Sequence, residues 1–81
     1  MGKYVVAVLS FFDNELKQFK VEAESDYHAV GMAMIEFSNE KYRKDEIEFQ
    51  NSEDYPTNIE DLEEHYINGE IVFSVIEVSQ F

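Results

Sequence analysis

The alternation of apolar residues predicts a β-hairpin at the start of the chain. Residues Tyr4–Phe12 are largely apolar on both alternating faces, which indicates a strand in the centre of a sheet. Asp13 and Asn14 are typical of a turn, because both residue types tolerate unusual backbone angles. Residues Glu15–Glu24 then alternate between a mainly apolar and a mainly polar face. The second strand of the hairpin is therefore expected to be half exposed.

The next pattern has helical spacing. Ser25 is a favourable N-cap, and Asp26 stands in the first turn, where the helix dipole favours an anion. Apolar residues recur at helical spacing from Ala29 to Phe37, so we expect a helix that ends near Ser38. Its small residues should let it lie close to the sheet.

The middle of the chain predicts a third strand and a second helix. Ile47 and Phe49 alternate with charged neighbours, which favours a short strand at a sheet edge. After a polar loop, Thr57 or Asn58 can cap a helix that ends at Asn68-Gly69 with a left-handed residue. The apolar stripe of this helix is expected to consist of Ile59, Leu62, Tyr66 and Ile67.

The last strand completes the predicted fold. Residues Glu70–Ser79 are apolar on both faces, so this strand is also expected to be central. The elements predict an α+β class in the order ββαβαβ, as a single domain over residues 1–81. The sheet should be mainly antiparallel, with three or four strands and two helices. Helices on one face of the sheet would leave an apolar patch on the other, suited to a dimer or another partner.

Composition supports a folded chain and limits its chemistry. Seven Phe and five Tyr, 15% of the residues, favour a folded domain over disorder. The absence of Cys excludes disulfides and thiolate metal sites. The apolar run from Tyr4 to Phe12 is too short to span a bilayer, and the first residues lack the apolar core of a signal peptide. We therefore expect a cytoplasmic protein.

The charge indicates the kind of partner. Eighteen acidic residues oppose six basic ones, for a net charge of −12. Such a chain repels nucleic acid and anionic membranes and attracts basic protein surfaces. Residues 40–70, which we call the acidic segment, hold eleven acids and three bases, a net of −8, and no Lys or Arg follows Lys44.

The expected partner-binding residues lie within the acidic segment. On the second predicted helix, Glu60, Glu63 and Glu64 are spaced at i, i+3 and i+4, which puts their side chains about 5–6 Å apart. Close-set negative charges are also what a nucleic-acid backbone presents. The full predicted contact set is Glu46, Glu48, Glu53, Asp54, Tyr55, Glu60, Asp61, Glu63 and Glu64. Tyr55 is equally compatible with partial burial.

No motif indicates catalysis or a cofactor. Asp61 and His65 form an i, i+4 pair that could share a metal, but such a pair is more often a simple surface interaction. No Ser lies in a Gly-flanked nucleophile elbow, and no Gly-rich phosphate loop is present. We therefore expect neither an enzyme nor a bound metal or cofactor.

Two functions are consistent with these features. In size, charge and lack of catalytic motifs, the chain is similar to the small acidic nucleic-acid mimics of phages and other mobile elements. That resemblance implies an inhibitor that blocks the basic DNA- or RNA-binding surface of a host protein, without contacting nucleic acid itself. The alternative is an accessory interaction domain, dimeric through its sheet, whose charge serves solubility only.

Overall fold

A three-stranded antiparallel sheet forms the base of the structure. The computed structural model describes all 81 residues. Strands β1 (Gly2–Ser10) and β2 (Glu15–Ala23) form the predicted hairpin, and β3 (Ile71–Val78) pairs with the other edge of β1. The strand order is β2-β1-β3, so β1 is central as predicted. Asn14 adopts a positive φ of 52° in the turn, in agreement with the turn expected there.

Three helices follow the hairpin and precede β3. They are α1 (Asp26–Phe37), α2 (Arg43–Gln50) and α3 (Ile59–Asn68). Ser25 caps α1 as predicted, since its hydroxyl accepts a hydrogen bond from the backbone N–H of His28 at 3.3 Å. Asn58 caps α3 in the same way, through the N–H of Asp61 at 2.9 Å. No helix combines the length and the apolar character that crossing a bilayer requires.

The core lies between the sheet and the helices. Val6 and Val8 of β1 are fully buried, and so are the small residues Ala29 and Ala33 of α1. Small side chains at these positions let the helix lie close to the strands, as expected from their spacing. The remaining buried apolar residues of this cluster are Tyr4, Val21, Ala23, Val30, Met34, Leu62 and Tyr66. The chain is thus a single compact α+β domain with three antiparallel strands and three helices.

The predicted third strand is wrong, because Ile47 and Phe49 lie in helix α2. The order is therefore ββαααβ and not ββαβαβ. Alternation over three residues is too short to distinguish a strand from a helical turn, and tertiary contacts decided the outcome. Ile47 remains 41% exposed on α2. The helix is held by polar and aromatic contacts rather than by a buried apolar stripe.

The expectation that β3 is central is also wrong, because β3 is an edge strand. β3 is apolar on both faces because one face contacts the core and the other lies on the uncovered side of the sheet. The core residues of β1 point toward the helices, and the register puts Phe73 and Val75 of β3 on that same side. The alternate residues point to the other side of the sheet, which no helix covers. We call this side the open face; its apolar residues are Val5, Ala7, Leu9, Leu16, Val72, Ile76 and Val78.

The end of α3 differs from the expected left-handed glycine cap. Gly69 has a φ of −96°, and the left-handed residue is Glu70, with a φ of 65°. The carbonyl of Glu70 accepts a hydrogen bond from the N–H of Phe11 at 2.8 Å. This bond links the residue that follows α3 to the end of β1. Ile67, expected in the apolar stripe, is instead 52% exposed.

The two methionines of α1 give a matched test of the core. Met34 is 2% exposed, whereas Met32 on the same helix is 48% exposed. We expect Met34→Ala to lower the free energy of unfolding by about 2–5 kcal/mol, because it leaves a cavity in the core. Met32→Ala should change it by less than about 0.5 kcal/mol. Urea denaturation measures both, and equal losses would contradict the assigned packing.

Candidate functional site

The acidic segment occupies α2, α3 and the loop between them. Seven of the nine predicted contact residues are exposed: Glu48 on α2, Glu53 and Asp54 in the loop, and Glu60, Asp61, Glu63 and Glu64 on α3. The other two, Glu46 and Tyr55, turn inward and are partly buried. The exposed carboxylates lie on the helical side of the domain, away from the open face of the sheet.

Helix α3 presents its acids outward because its apolar residues fix its orientation. Leu62 is fully buried and Tyr66 is 5% exposed, and the Tyr66 ring packs edge-on against Phe73 of β3 at 6.2 Å. With those positions held against the sheet, Glu60 and Glu64 lie on the opposite side of the helix. The first-turn acids, Glu60 and Asp61, also interact favourably with the helix dipole.

Helix α2 is attached to α1 by two long polar side chains. The guanidinium of Arg43 donates to the carbonyls of Ile35 and Ser38, both at 3.1 Å, and so satisfies the end of α1. The amide of Gln50 donates to the carbonyl of Gly31 at 2.8 Å. A Cβ at position 31 would lie 3.1 Å from Gln50 Oε1, so a larger residue there would require the Gln50 side chain to shift by a few tenths of an ångström.

The sequence analysis did not identify the polar residues of α2 that face the rest of the domain. Arg43, Glu46 and Gln50 are spaced at i, i+3 and i+7, which places them on one side of a helix. All three point inward in the structure. That spacing could have predicted helix α2. It was not recognised because a helix is identified from a stripe of apolar residues, and the inner side of α2 is polar.

The bases of the chain leave the acidic segment unneutralised. The structure has one ion pair, between Lys17 Nζ and Glu15 at 3.0 Å, and both residues lie in β2. Arg43 is committed to helix carbonyls, and Lys41 lies over the ring of Tyr42 at 5.3 Å. Every carboxylate from Glu40 to Glu70 is therefore without an ion-pair partner.

Glu46 is the one carboxylate of the segment that points into the domain. Its Oε1 accepts a hydrogen bond from the Tyr66 hydroxyl at 2.9 Å. Burial raises the pKa of Glu46, and the hydrogen bond from Tyr66 partly opposes that rise. The pKa of the Tyr66 hydroxyl is also raised, first by burial and then by the neighbouring Glu46. This pair joins α2 to α3 and is not available as an exposed acidic contact.

Tyr55 packs against residues of both α1 and α2. Its ring packs edge-on against Phe49 at 5.3 Å and against Tyr27 at 5.7 Å. Its hydroxyl is buried without a hydrogen-bond partner, and burial raises its pKa to about 12. Of the two roles that the sequence left open for this residue, the structure favours partial burial.

The histidines have local structural partners. The ring of His65 stacks on Phe49 with the centroids 4.5 Å apart, and Asp61 accepts a hydrogen bond from the Asn58 amide at 3.0 Å. His28 lies 2.8 Å from the Ser25 hydroxyl at the start of α1. No group of three or more His, Asp or Glu side chains is arranged to hold a metal ion.

The largest groove has an apolar wall and a polar, partly charged lining. It has a volume of about 680 Å³ and lies between β2 and α1, where Phe19, Val21, Met32 and Ile35 contribute its apolar wall. Its polar lining consists of Gln18, Lys20, Glu22 and Glu36. No Ser, Thr or His lines it.

The partly buried Glu46 should make stability depend on pH. Its pKa is raised from 4.5 on folding, so the ionised form is disfavoured in the folded state. This penalty is absent at low pH, where Glu46 is protonated in both states, and it grows as the pH rises through the folded-state pKa. We expect Glu46→Gln, which keeps an acceptor for Tyr66, to be more stable than the wild type at about pH 7.

The same comparison at about pH 3 should show little or no gain for Glu46→Gln. Urea denaturation at both pH values measures the effect. The exposed Glu48→Gln on the same helix is the control, since it removes the same formal charge without a buried partner. An equal gain at both pH values, or the same pH dependence in the control, would contradict the assigned environment of Glu46.

Comparisons with protein-family models, with curated proteins and with solved structures found no match to this chain.

Proposed function

We propose that this protein is a non-enzymatic acidic binding module that occupies the basic nucleic-acid-binding surface of another protein. The carboxylates from Glu40 to Glu70 support this proposal most, because none of them has an ion-pair partner. Interspersed bases would lower the repulsion among these acids, and the segment has none after Lys44. In this role the module acts as an inhibitor that mimics nucleic acid, as encoded by phages or other mobile elements.

The proposed contact surface consists of the exposed acids of α3 and the preceding loop, with Glu48 of α2. Glu60, Glu63 and Glu64 are one helical turn or less apart, so a groove lined by Lys and Arg meets several charges at once. Glu46 and Tyr55 contribute indirectly, because they hold α2 and the loop against α3. Electrostatic attraction would make association fast and sensitive to salt.

Repulsion among the acids of α3 is tolerated because packing, and not charge, holds that helix in place. Like charges at i, i+4 cost about a few tenths of a kcal/mol per pair. Burial of a Leu side chain such as Leu62 contributes about 1.5–3 kcal/mol, which is several times larger. The helix can therefore keep an uncompensated acidic side without unfolding.

A second candidate function is an accessory interaction domain whose charge serves solubility only. The uncovered apolar side of the sheet favours it, since an apolar surface binds partners without the acids. The two candidates differ in their salt dependence. Partner binding through carboxylates should weaken steeply with added salt, and binding through an apolar sheet should not.

The proposal is tested with proteins that a heparin column retains from a cell lysate. A protein captured from this fraction by the immobilised chain is purified and loaded with labelled duplex DNA. We expect the chain to displace the DNA, with an affinity that falls linearly on a log–log plot against salt concentration. Simultaneous binding of the chain and the DNA, or binding that is indifferent to salt, would contradict the proposal.

The role of α3 is tested by the triple variant Glu60→Gln, Glu63→Gln and Glu64→Gln. Asp61 is left intact because its carboxylate also contacts the capping residue Asn58. We expect binding to weaken at least about tenfold, because several charge contacts are lost together. The control, Asp13→Asn, Glu24→Gln and Glu36→Gln, removes three exposed acids outside the segment and should weaken binding less than about threefold. Equal losses would indicate an effect of net charge alone.

A further inference from the structure

The open face of the sheet is uncovered, and it is mainly apolar along β1 and β3. On β2 only Leu16 is apolar, because the other three positions are Gln18, Lys20 and Glu22. Both edge strands contribute to it, and Leu16 of β2 and Ile76 of β3 are 64% and 57% exposed. Val5 and Leu9 of the central strand are only partly buried, because no element packs over them. A monomer seldom leaves so continuous an apolar surface in water unless it serves an interaction.

Exposed aromatic rings extend the open face at both ends. At the hairpin end, Phe11 is 57% exposed. Phe11 follows Leu9 in the alternation, and its N–H continues the pairing toward β3 through the carbonyl of Glu70. At the other end, the ring of Phe81, which is 49% exposed, lies 5.8 Å from Nζ of Lys3.

The open face also differs in charge from the rest of the molecule. The register places only three charged residues on it: Lys3, Lys20 and Glu22. Their net charge is +1. Since the whole chain has a net charge of −12, the residues outside this face carry −13. This face is therefore where two copies of so acidic a chain can approach without bringing acid against acid.

The dimensions of the open face suit a sheet-on-sheet interface. Its strands have nine, nine and eight residues. At about 3.3 Å per residue and about 4.8 Å between strands, the face measures roughly 15 by 28 Å, or about 400 Å² in projection. The accessible area over the side chains is larger, and the end rings add to it. Each copy therefore approaches the roughly 600–800 Å² per partner that a stable interface buries.

From these observations we infer that the open face binds a second copy of this chain. The two sheets stack face to face about 10 Å apart, related by a two-fold axis, so that the same residues meet from both sides. The acidic helices of both copies then point away from the interface and stay exposed. This inference does not rest on the proposed function, because it uses a different surface and needs no other partner.

Sedimentation equilibrium of the purified chain tests the inference. At about 100 µM we expect a mass of twice the 9.5 kDa of one chain. Raising the salt from about 50 to about 500 mM should keep or strengthen the dimer, because it screens the repulsion between two acidic chains. A mass of one chain at every concentration and salt condition would overturn the inference.

Two matched variants locate the interface. Ile76→Lys adds a base to the open face, whereas Ile67→Lys makes the same change at a residue of α3 that is 52% exposed. Both make the chain less negative, so neither increases the general repulsion between copies. We expect Ile76→Lys to raise the dimer dissociation constant at least about tenfold and Ile67→Lys to change it less than about threefold. The opposite ranking would overturn the inference.

Leu16→Lys on β2 provides a second variant if circular dichroism shows that Ile76→Lys does not fold. It alters the other edge of the open face and should also dissociate the dimer. A folded Leu16→Lys that dimerises like the wild type would count against the open face. The triple Gln variant of α3 should remain dimeric, so loss of partner binding and loss of dimerisation are distinguishable results.

Discussion

The packing of α1 across β1 is the interaction on which the rest of the domain depends. Val6 and Val8 are fully buried against a helix whose own contact residues, Ala29 and Ala33, are small. Because β1 is hydrogen-bonded to a strand on either side, it can be covered only from above or below the sheet. Covering it from one side produces the core, and α2 then attaches to α1 through Arg43 and Gln50.

This one-sided arrangement separates the surface into two parts with different chemistry. The helical side carries the unpaired carboxylates of the acidic segment, and the open face carries apolar residues with a small positive charge. Strong net charge limits self-association, while apolar area promotes it. With the two properties on opposite sides, the proposed binding to a basic protein and the inferred pairing of two copies do not compete for the same residues.

Two polar contacts of α2 hold the helices together without pairing the exposed acids with bases. Arg43, the only arginine, is directed to backbone carbonyls, so it orders the end of α1 and neutralises no carboxylate. Glu46 is directed inward to Tyr66, where it joins α2 to α3 and gives up its place on the surface. The exposed acids of the acidic segment make few contacts within the domain, so they remain available to a partner.

The sequence by itself determined the elements whose signals are local. The hairpin, the cap at Ser25, a cap at Thr57 or Asn58, and helices α1 and α3 follow from alternation, helical spacing and side-chain hydrogen bonds to nearby backbone groups. The structure assigns the second cap to Asn58. The exposure of the α3 acids followed as well. Only the tertiary structure decided that residues 43–50 form a helix, that β3 lies at an edge and that Glu46 and Tyr55 turn inward. Those outcomes depend on contacts between residues far apart in the chain, such as Gln50 with Gly31, and no local pattern encodes them.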